Sequence, residues 1–150
     1  MAADKYKVVI IGGGPGGYPA AIHARQRGAK VALVEMDELG GVCLNRGCIP
    51  SKALINSAVT FEKFKHASEI GIDLATPPRI NWPAMLARKS KIVSTMTGGV
   101  GSLMKSHGVD VYNGFGSITG KNEVTVNADD ESETILKTEN IIIATGSRPI

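Results

Sequence analysis

The chain has 150 residues, 43% of them hydrophobic and 21% charged, which is one domain's worth of a globular protein able to bury a core. Its 17 Lys and Arg against 14 Asp and Glu give a formal net charge of +3, scattered without a basic run, and aromatics are few, which argues against a nucleic-acid surface. The longest apolar runs fall short of the roughly 18 residues needed to cross a bilayer, and the first residues show neither a signal-type apolar region nor an Arg-rich transit segment, so a cytoplasmic setting is expected.

Val8-Val9-Ile10-Ile11 is a continuous β-branched run, the pattern of a strand covered on both faces of a parallel sheet. Gly12-Gly13-Gly14-Pro15-Gly16-Gly17 follows at once. Residues 18–28 have helical composition, with Ala20, Ala21 and Ala24 permitting close packing and Gly28 as a stop. A second buried strand over 30–35 completes a βαβ unit of about 30 residues, which should be right-handed. The spacing of Gly12, Gly14 and Gly17 fits G-x-G-x-x-G in its required place, after a strand and opening a helix. The first allows the tight turn, the second lets backbone approach a pyrophosphate, and the third permits helix-to-strand contact. Unsatisfied N–H groups at the helix start, aided by its dipole, then favour phosphate. Glu35, ending the second strand about 20 residues on, is placed to accept hydrogen bonds from a ribose diol. A glycine-rich turn with a solvated Glu is the competing reading.

Both cysteines lie in Cys43-Leu44-Asn45-Arg46-Gly47-Cys48. A regular helix would separate their Cα atoms by roughly 7.5 Å along the axis, whereas a disulfide needs about 4.4 to 6.8 Å. The pair therefore closes only across a distorted turn, for which Asn45 and Gly47 offer backbone freedom. So small a ring adds only about 2 kcal/mol of chain-entropy stabilisation, which favours a redox role over a structural staple. Inert thiols and half of a zinc site remain open; zinc would need further ligands, and His23, His66 and His107 are not spaced as a partner pair.

From Ala53 to Ala67, apolar residues recur at near-helical spacing, with Pro50 in the first turns. Residues 70–80, with Pro77 and Pro78, read as a loop. Asn81 then caps a long helix with Pro83 in its first turn, running to about His107, although Gly98, Gly99 and Gly101 weaken its middle unless something packs closely there. Trp82 and Met96 are expected to be packing residues. Short strands follow over 110–113, 116–119, 123–127 and 134–138, with 128–132 as an acidic hairpin tip, and a last apolar strand over 140–144 enters Thr145-Gly146-Ser147-Arg148-Pro149. The predicted fold is a doubly wound, Rossmann-like α/β domain: a parallel sheet of the strands at 7–11, 30–35, 110–113 and 140–144, and a small antiparallel meander over 116–138 as the last crossover. A cofactor should lie at the carboxyl ends of the parallel strands.

The stretch from Leu39-Gly40-Gly41-Val42-Cys43 to Cys48-Ile49-Pro50-Ser51-Lys52, following the glycine loop and preceding Ala144-Thr145-Gly146-Ser147-Arg148-Pro149, resembles the FAD-linked disulfide oxidoreductases, the class I pyridine nucleotide-disulfide reductases. The resemblance covers the whole chain. It implies a flavoprotein oxidoreductase with a redox-active Cys43–Cys48 disulfide, and an FAD-binding domain at 1–150. Gly12, Gly14, Pro15, Gly16 and Gly17 would form the phosphate loop, and Glu35 would hold the adenosine ribose. Gly40, Gly41 and Val42 would lie near the cofactor. Cys43 would be the interchange thiol, and Cys48 would rest against the flavin. Lys52 would sit near the flavin N5 edge, Gly116 would offer backbone to the adenine end, and Thr145, Gly146 and Ser147 would contact FAD. Bland rivals are a solvated Lys52, a strand-end Gly116 and a linker turn at Thr145 to Ser147. The resemblance also implies a dithiol substrate. Ile49 favours the branch acting on lipoyl groups of 2-oxoacid dehydrogenase complexes or the glycine cleavage system, over glutathione and mercuric reductases, which more usually read Val there. NAD, a homodimer and the catalytic His–Glu base would belong to further domains of a longer enzyme. No metal is expected, and none of the three histidines is assigned a catalytic role. The alternative is a non-catalytic FAD-binding or assembly module.

Overall fold

A computed structural model describes residues 5–147; the Arg148 and Pro149 end of the last motif lies outside them. In chain order come β1 (Lys5–Ile11), α1 (Gly17–Gln26), β2 (Val31–Glu35), α2 (Gly41–Asn45), α3 (Cys48–Lys65), a 3-10 turn (Ala67–Ile70), α4 (Trp82–Ser106), β3 (Asp110–Asn113), β4 (Phe115–Gly120), β5 (Glu123–Asn127) and β6 (Glu133–Ile143). One six-stranded sheet runs in the order β3-β2-β1-β6-β5-β4. Its β3, β2, β1 and β6 strands are parallel, with Ile11 opposite Val34 and Ile143; β4, β5 and β6 pair antiparallel.

The continuous apolar runs are explained by burial on both faces. Ile10, Val31 and Leu33 point to one side, where Ala21 of α1 and Met104 of α4 cover them. Tyr6, Val9, Ile11, Ala32 and Val34 point to the other, where Val124, Val126 and Leu136 of the meander close the core. The meander thus folds over the far face of the parallel strands, giving three layers. A Cβ on Gly116 would lie 3.1 Å from both Ile11 and Val34, so β4 crosses the ends of β1 and β2 at close quarters.

One expectation needs correction. The strands predicted at 134–138 and 140–144 are a single 11-residue β6, whose first half pairs with β5 while its second half continues along β1. The polar stretch Lys137-Thr138-Glu139 resembles a break, yet each residue finds a partner. Lys137 bonds Glu123 across the meander, Glu139 accepts from Lys7 at 2.5 Å, and the buried Thr138 hydroxyl donates to Asn140 O at 2.8 Å.

The helix ends follow the sequence. Gly28, at φ +82, ends α1, with Ala29 N donating to Ala24 O at 3.1 Å. Asn81 Oδ1 accepts from Ala84 N at 3.1 Å to start α4. That helix passes unbroken through Gly98 and Gly99, although a Cβ on either would meet nothing within 4 Å. The anchorage is nearby, at buried Val100 and Met104. Trp82 and Met96, expected to pack, are 53% and 44% exposed. Trp82 opens α4 directly after the proline-containing loop, and although both fall near the azimuth of Val100 and Met104, the buried residues of α4 are confined to its last two turns. Among the described residues no helix is long and apolar enough to cross a membrane.

Met104→Ala is expected to lower stability by about 2–5 kcal/mol in chemical denaturation. Leu103→Ala, at an adjacent position that is 44% exposed, should change it by only about 0.5 kcal/mol. Similar losses in both variants would contradict the assignment of α4's buried face.

Candidate functional site

The loop from Gly12 to Gly17 joins β1 to α1 at the carboxyl end of the sheet. Two of its glycines, Gly12 and Gly17, leave no room for a side chain. Gly12 adopts φ +105, and a Cβ there would lie 2.2 Å from Ala144 O; at Gly17 a Cβ would meet Gly12 O at 1.7 Å. Gly14 is different, since the nearest atom to a Cβ would be Gly41 Cα at 3.7 Å. These are the three roles read from the spacing: a turn, an open backbone surface and a helix-to-strand contact. Among the described residues the N–H groups of Gly14 and Gly16 have no protein acceptor. Pro15 and Gly16 are exposed beside them.

Glu35 ends β2 against this loop. Its Oε2 accepts from Gly13 N at 2.6 Å and its Oε1 from Asp37 N at 2.9 Å, which fixes the carboxylate while leaving lone pairs for further donors. A bare glycine loop, two free N–H groups at a helix start and an anchored carboxylate at the next strand end form a cradle that fits the diphosphate and ribose of a dinucleotide such as FAD.

The dithiol segment is docked directly on that cradle. Gly40 N donates to Gly13 O at 2.9 Å, and Gly41, at φ +57, approaches so closely that a Cβ would sit 2.8 Å from Gly14 Cα. Glycine at 41 is what permits this approach. The α2 turn that follows is short, and isolated helices of that length do not persist. Asn45 braces it, donating from Nδ2 to Leu39 O at 3.1 Å and to Gly41 O at 3.0 Å, while its Oδ1 is buried without a partner. Arg46, with Nη1 2.7 Å from Asp37 Oδ2, adds a surface ion pair.

The expected distortion lies at Arg46 and Gly47, where α2 stops and α3 begins. At Gly47, φ is −126° and ψ −108°, and a Cβ would press to 3.0 Å from Val42 O. The break brings the sulfurs together as free thiols, Cys43 half-buried and Cys48 exposed. Cys43 donates a hydrogen bond to Cys48, and this, followed by partial burial and the proximity of the Cys48 charge, holds the Cys43 thiol above the usual range; the Cys48 backbone N–H bonding the Cys43 sulfur pulls the other way. Lys52 follows Cys48 by four residues in α3 and is exposed, so it lies on the same helix face.

The remaining predicted positions gather near the same strand ends. Gly116 pairs with Val126 in β4 and lies against Ile11 and Val34. Thr145, Gly146 and Ser147 leave β6 exposed, just past the Ala144 carbonyl that faces Gly12. Val42 is 59% exposed beside Cys43. The histidines lie elsewhere: His66 bonds Glu69 at 2.8 Å, and His107 contacts Leu103 O at the end of α4. No group of three or more His, Cys, Asp or Glu able to hold a metal occurs among the described residues. Three contributors escape sequence reading: Gly13, which orients Glu35; Leu39, whose Cδ2 would lie 2.8 Å from a Gly13 Cβ; and Asn45, a brace rather than a source of turn freedom.

The family model for pyridine nucleotide-disulphide oxidoreductases matches residues 6–150. The chain belongs to this family. It is 49% identical over 148 residues to a dihydrolipoyl dehydrogenase of Acholeplasma laidlawii, covering 99% of this chain and 43% of that protein. It is 44% identical over 146 residues to the dihydrolipoyl dehydrogenase of Chlamydia trachomatis serovar D, covering 97% and 31%. It is also 48% identical over 144 residues to the mitochondrial dihydrolipoyl dehydrogenase of Bos taurus, covering 93% and 28%. The chain thus spans less than half the length of these curated relatives.

The thiol pair gives a pH prediction. Cys43 is an acid whose protonated form is favoured by the bond to Cys48, so Cys48→Ala should lower its pKa toward the ordinary thiol value. The midpoint of its alkylation rate against pH should then move to lower pH. A midpoint that stays or rises would contradict the hydrogen-bond assignment.

Proposed function

We propose that this chain is the FAD-binding, dithiol-bearing part of a dihydrolipoyl dehydrogenase, which oxidises a lipoyl dithiol and passes its electrons to NAD. The observation that carries this reading is the docking of the dithiol turn on the glycine loop, through the Gly40 N to Gly13 O bond and the Gly14–Gly41 approach. A sulfur pair held there lies beside any dinucleotide the loop binds.

In the oxidised protein Cys43 and Cys48 share a disulfide. A substrate thiolate attacks the Cys43 sulfur, the S–S bond breaks, and Cys48 leaves as thiolate. The second substrate thiolate then displaces Cys43, so the substrate departs as a disulfide and both protein sulfurs are reduced. Lys52, on the face of α3 that Cys48 occupies, borders the same side of the site. Gly14 and Gly16 N–H groups hold the cofactor's phosphates and Glu35 its ribose, while Gly41, Val42, Gly116 and Thr145 to Ser147 border it. FAD, when bound, supplies the two-electron acceptor that restores the disulfide and relays the electrons to NAD.

The base that takes the substrate's proton, the nicotinamide site and the homodimer contacts are proposed to lie in the part of the enzyme that the relatives have and these 150 residues do not cover. A cytoplasmic setting, and a lipoyl group carried on a 2-oxoacid dehydrogenase complex or the glycine cleavage system, complete the proposal.

Purified protein should be yellow and should develop a long-wavelength absorption band on adding dihydrolipoamide, and Cys48→Ser should abolish the band while leaving the yellow colour. A colourless protein with two freely titrating thiols after incubation with FAD would overturn the proposal.

A further inference from the structure

The carboxyl ends of three parallel strands form a row. β1 runs into the glycine loop, β2 ends at Glu35, and β3, one strand further out, ends at Asn113. Glu35 and Asn113 are partners in the parallel register, so their side chains leave the sheet on the same face from strands about 4.8 Å apart. Gly114 N donates to Glu35 O at 2.8 Å and pins that register at its last step. The chain turns at once at Gly114, where φ is +150 and a Cβ would lie 2.4 Å from Asn127 O, which leaves Asn113 at the rim. Although β3 is a four-residue edge strand, it is tied back across the sheet. The Tyr6 hydroxyl of β1 donates to Asp110 Oδ2 at 3.0 Å and lies 2.8 Å from the Tyr112 hydroxyl. A strand held in this way gives Asn113 a fixed position beside Glu35.

We infer that Asn113 is a specificity-determining residue that recognises the adenine of the bound dinucleotide. The inference rests on the roles proposed above for the glycine loop and Glu35: with phosphates at the first strand end and ribose at the second, the base extends toward the third. A side-chain amide carries an acceptor and a donor in one plane. Adenine presents the complement, an N6 amino donor beside a ring-nitrogen acceptor, and Asn is a side chain that pairs with both at once. Asn113 Oδ1 accepts from the N6 amino group while Nδ2 donates to the neighbouring ring nitrogen. Among the described residues the Asn113 amide has no competing hydrogen-bond partner. The other side chains that follow Glu35 are poorer readers, since Met36 has no donor and Asp37 is engaged by Arg46 at 2.7 Å. Gly116 borders the base through its backbone, so Asn113 supplies the side chain that tells one base from another.

The test measures dissociation constants of the flavin-free 150-residue chain, by flavin fluorescence, for FAD and for the flavin dinucleotide in which unsubstituted purine replaces adenine. The two ligands differ only in the 6-amino group. The unmodified chain should bind FAD at least about fivefold more tightly, the low end of what a bidentate amide–adenine pair supplies. Asn113→Ala should weaken FAD more than the analogue and bring the two to within about twofold of each other. Asn113→Asp, which keeps the acceptor and loses the donor, should also weaken FAD but retain part of the preference. Equal affinities in the unmodified chain overturn the inference, and that comparison decides even if a variant folds poorly. A preference that survives intact in Asn113→Ala, with both ligands weakened alike, overturns it too, because that is the result of a residue that only props the strand. Binding of neither dinucleotide would overturn the function proposed above and this inference together, whereas tight binding without discrimination overturns this inference alone.

Discussion

The contact between two bare backbones, Gly13-Gly14 of the phosphate loop and Gly40-Gly41 before α2, is the constraint on which the rest of the site depends. A side chain on Gly41 would push the dithiol turn away from the loop, because its Cβ would lie 2.8 Å from Gly14 Cα. With that side chain absent, a single hydrogen bond and van der Waals contact make the loop and the dithiol turn one piece of structure. The parallel sheet supplies the platform: β1 ends at the loop, β2 ends at Glu35, and β6 ends where Ala144 closes over Gly12. Three strand ends thus fix a glycine cradle, an acidic anchor and the exit of the chain.

The chemistry then follows from where the chain breaks its own helix. An unbroken helix from Gly41 to Lys65 would hold the sulfurs apart. The interruption at Arg46 and Gly47 brings them together and leaves them unequal, one within a braced short turn and one at the start of a long helix. That inequality gives the pair a direction.

Much of this was legible in the residues. The apolar runs around Ile10 and Leu33 mark strands buried on both faces, G-x-G-x-x-G marks the loop, and the impossibility of a helical disulfide marks the break. What stayed hidden depends on contacts between distant parts of the chain. Lys137 and Glu139 look like a strand boundary until Glu123 and Lys7 are seen opposite them. Asn45 looks like a turn former, because local propensity carries no information about the Leu39 and Gly41 carbonyls it bonds. Trp82 and Met96 look like core because hydrophobicity alone does not say how far along a helix its neighbours reach.

The coupling of loop and dithiol is tested most directly in Gly41→Ala, by measuring FAD affinity together with the rate at which the reduced pair closes to a disulfide. Alanine at φ +57, with its Cβ 2.8 Å from Gly14 Cα, must force the two segments apart. The account predicts a fall in FAD affinity of about tenfold or more, equivalent to about 1.4 kcal/mol, accompanied by an altered closure rate in a protein that still folds. Unchanged FAD affinity and unchanged closure in the folded variant would contradict it.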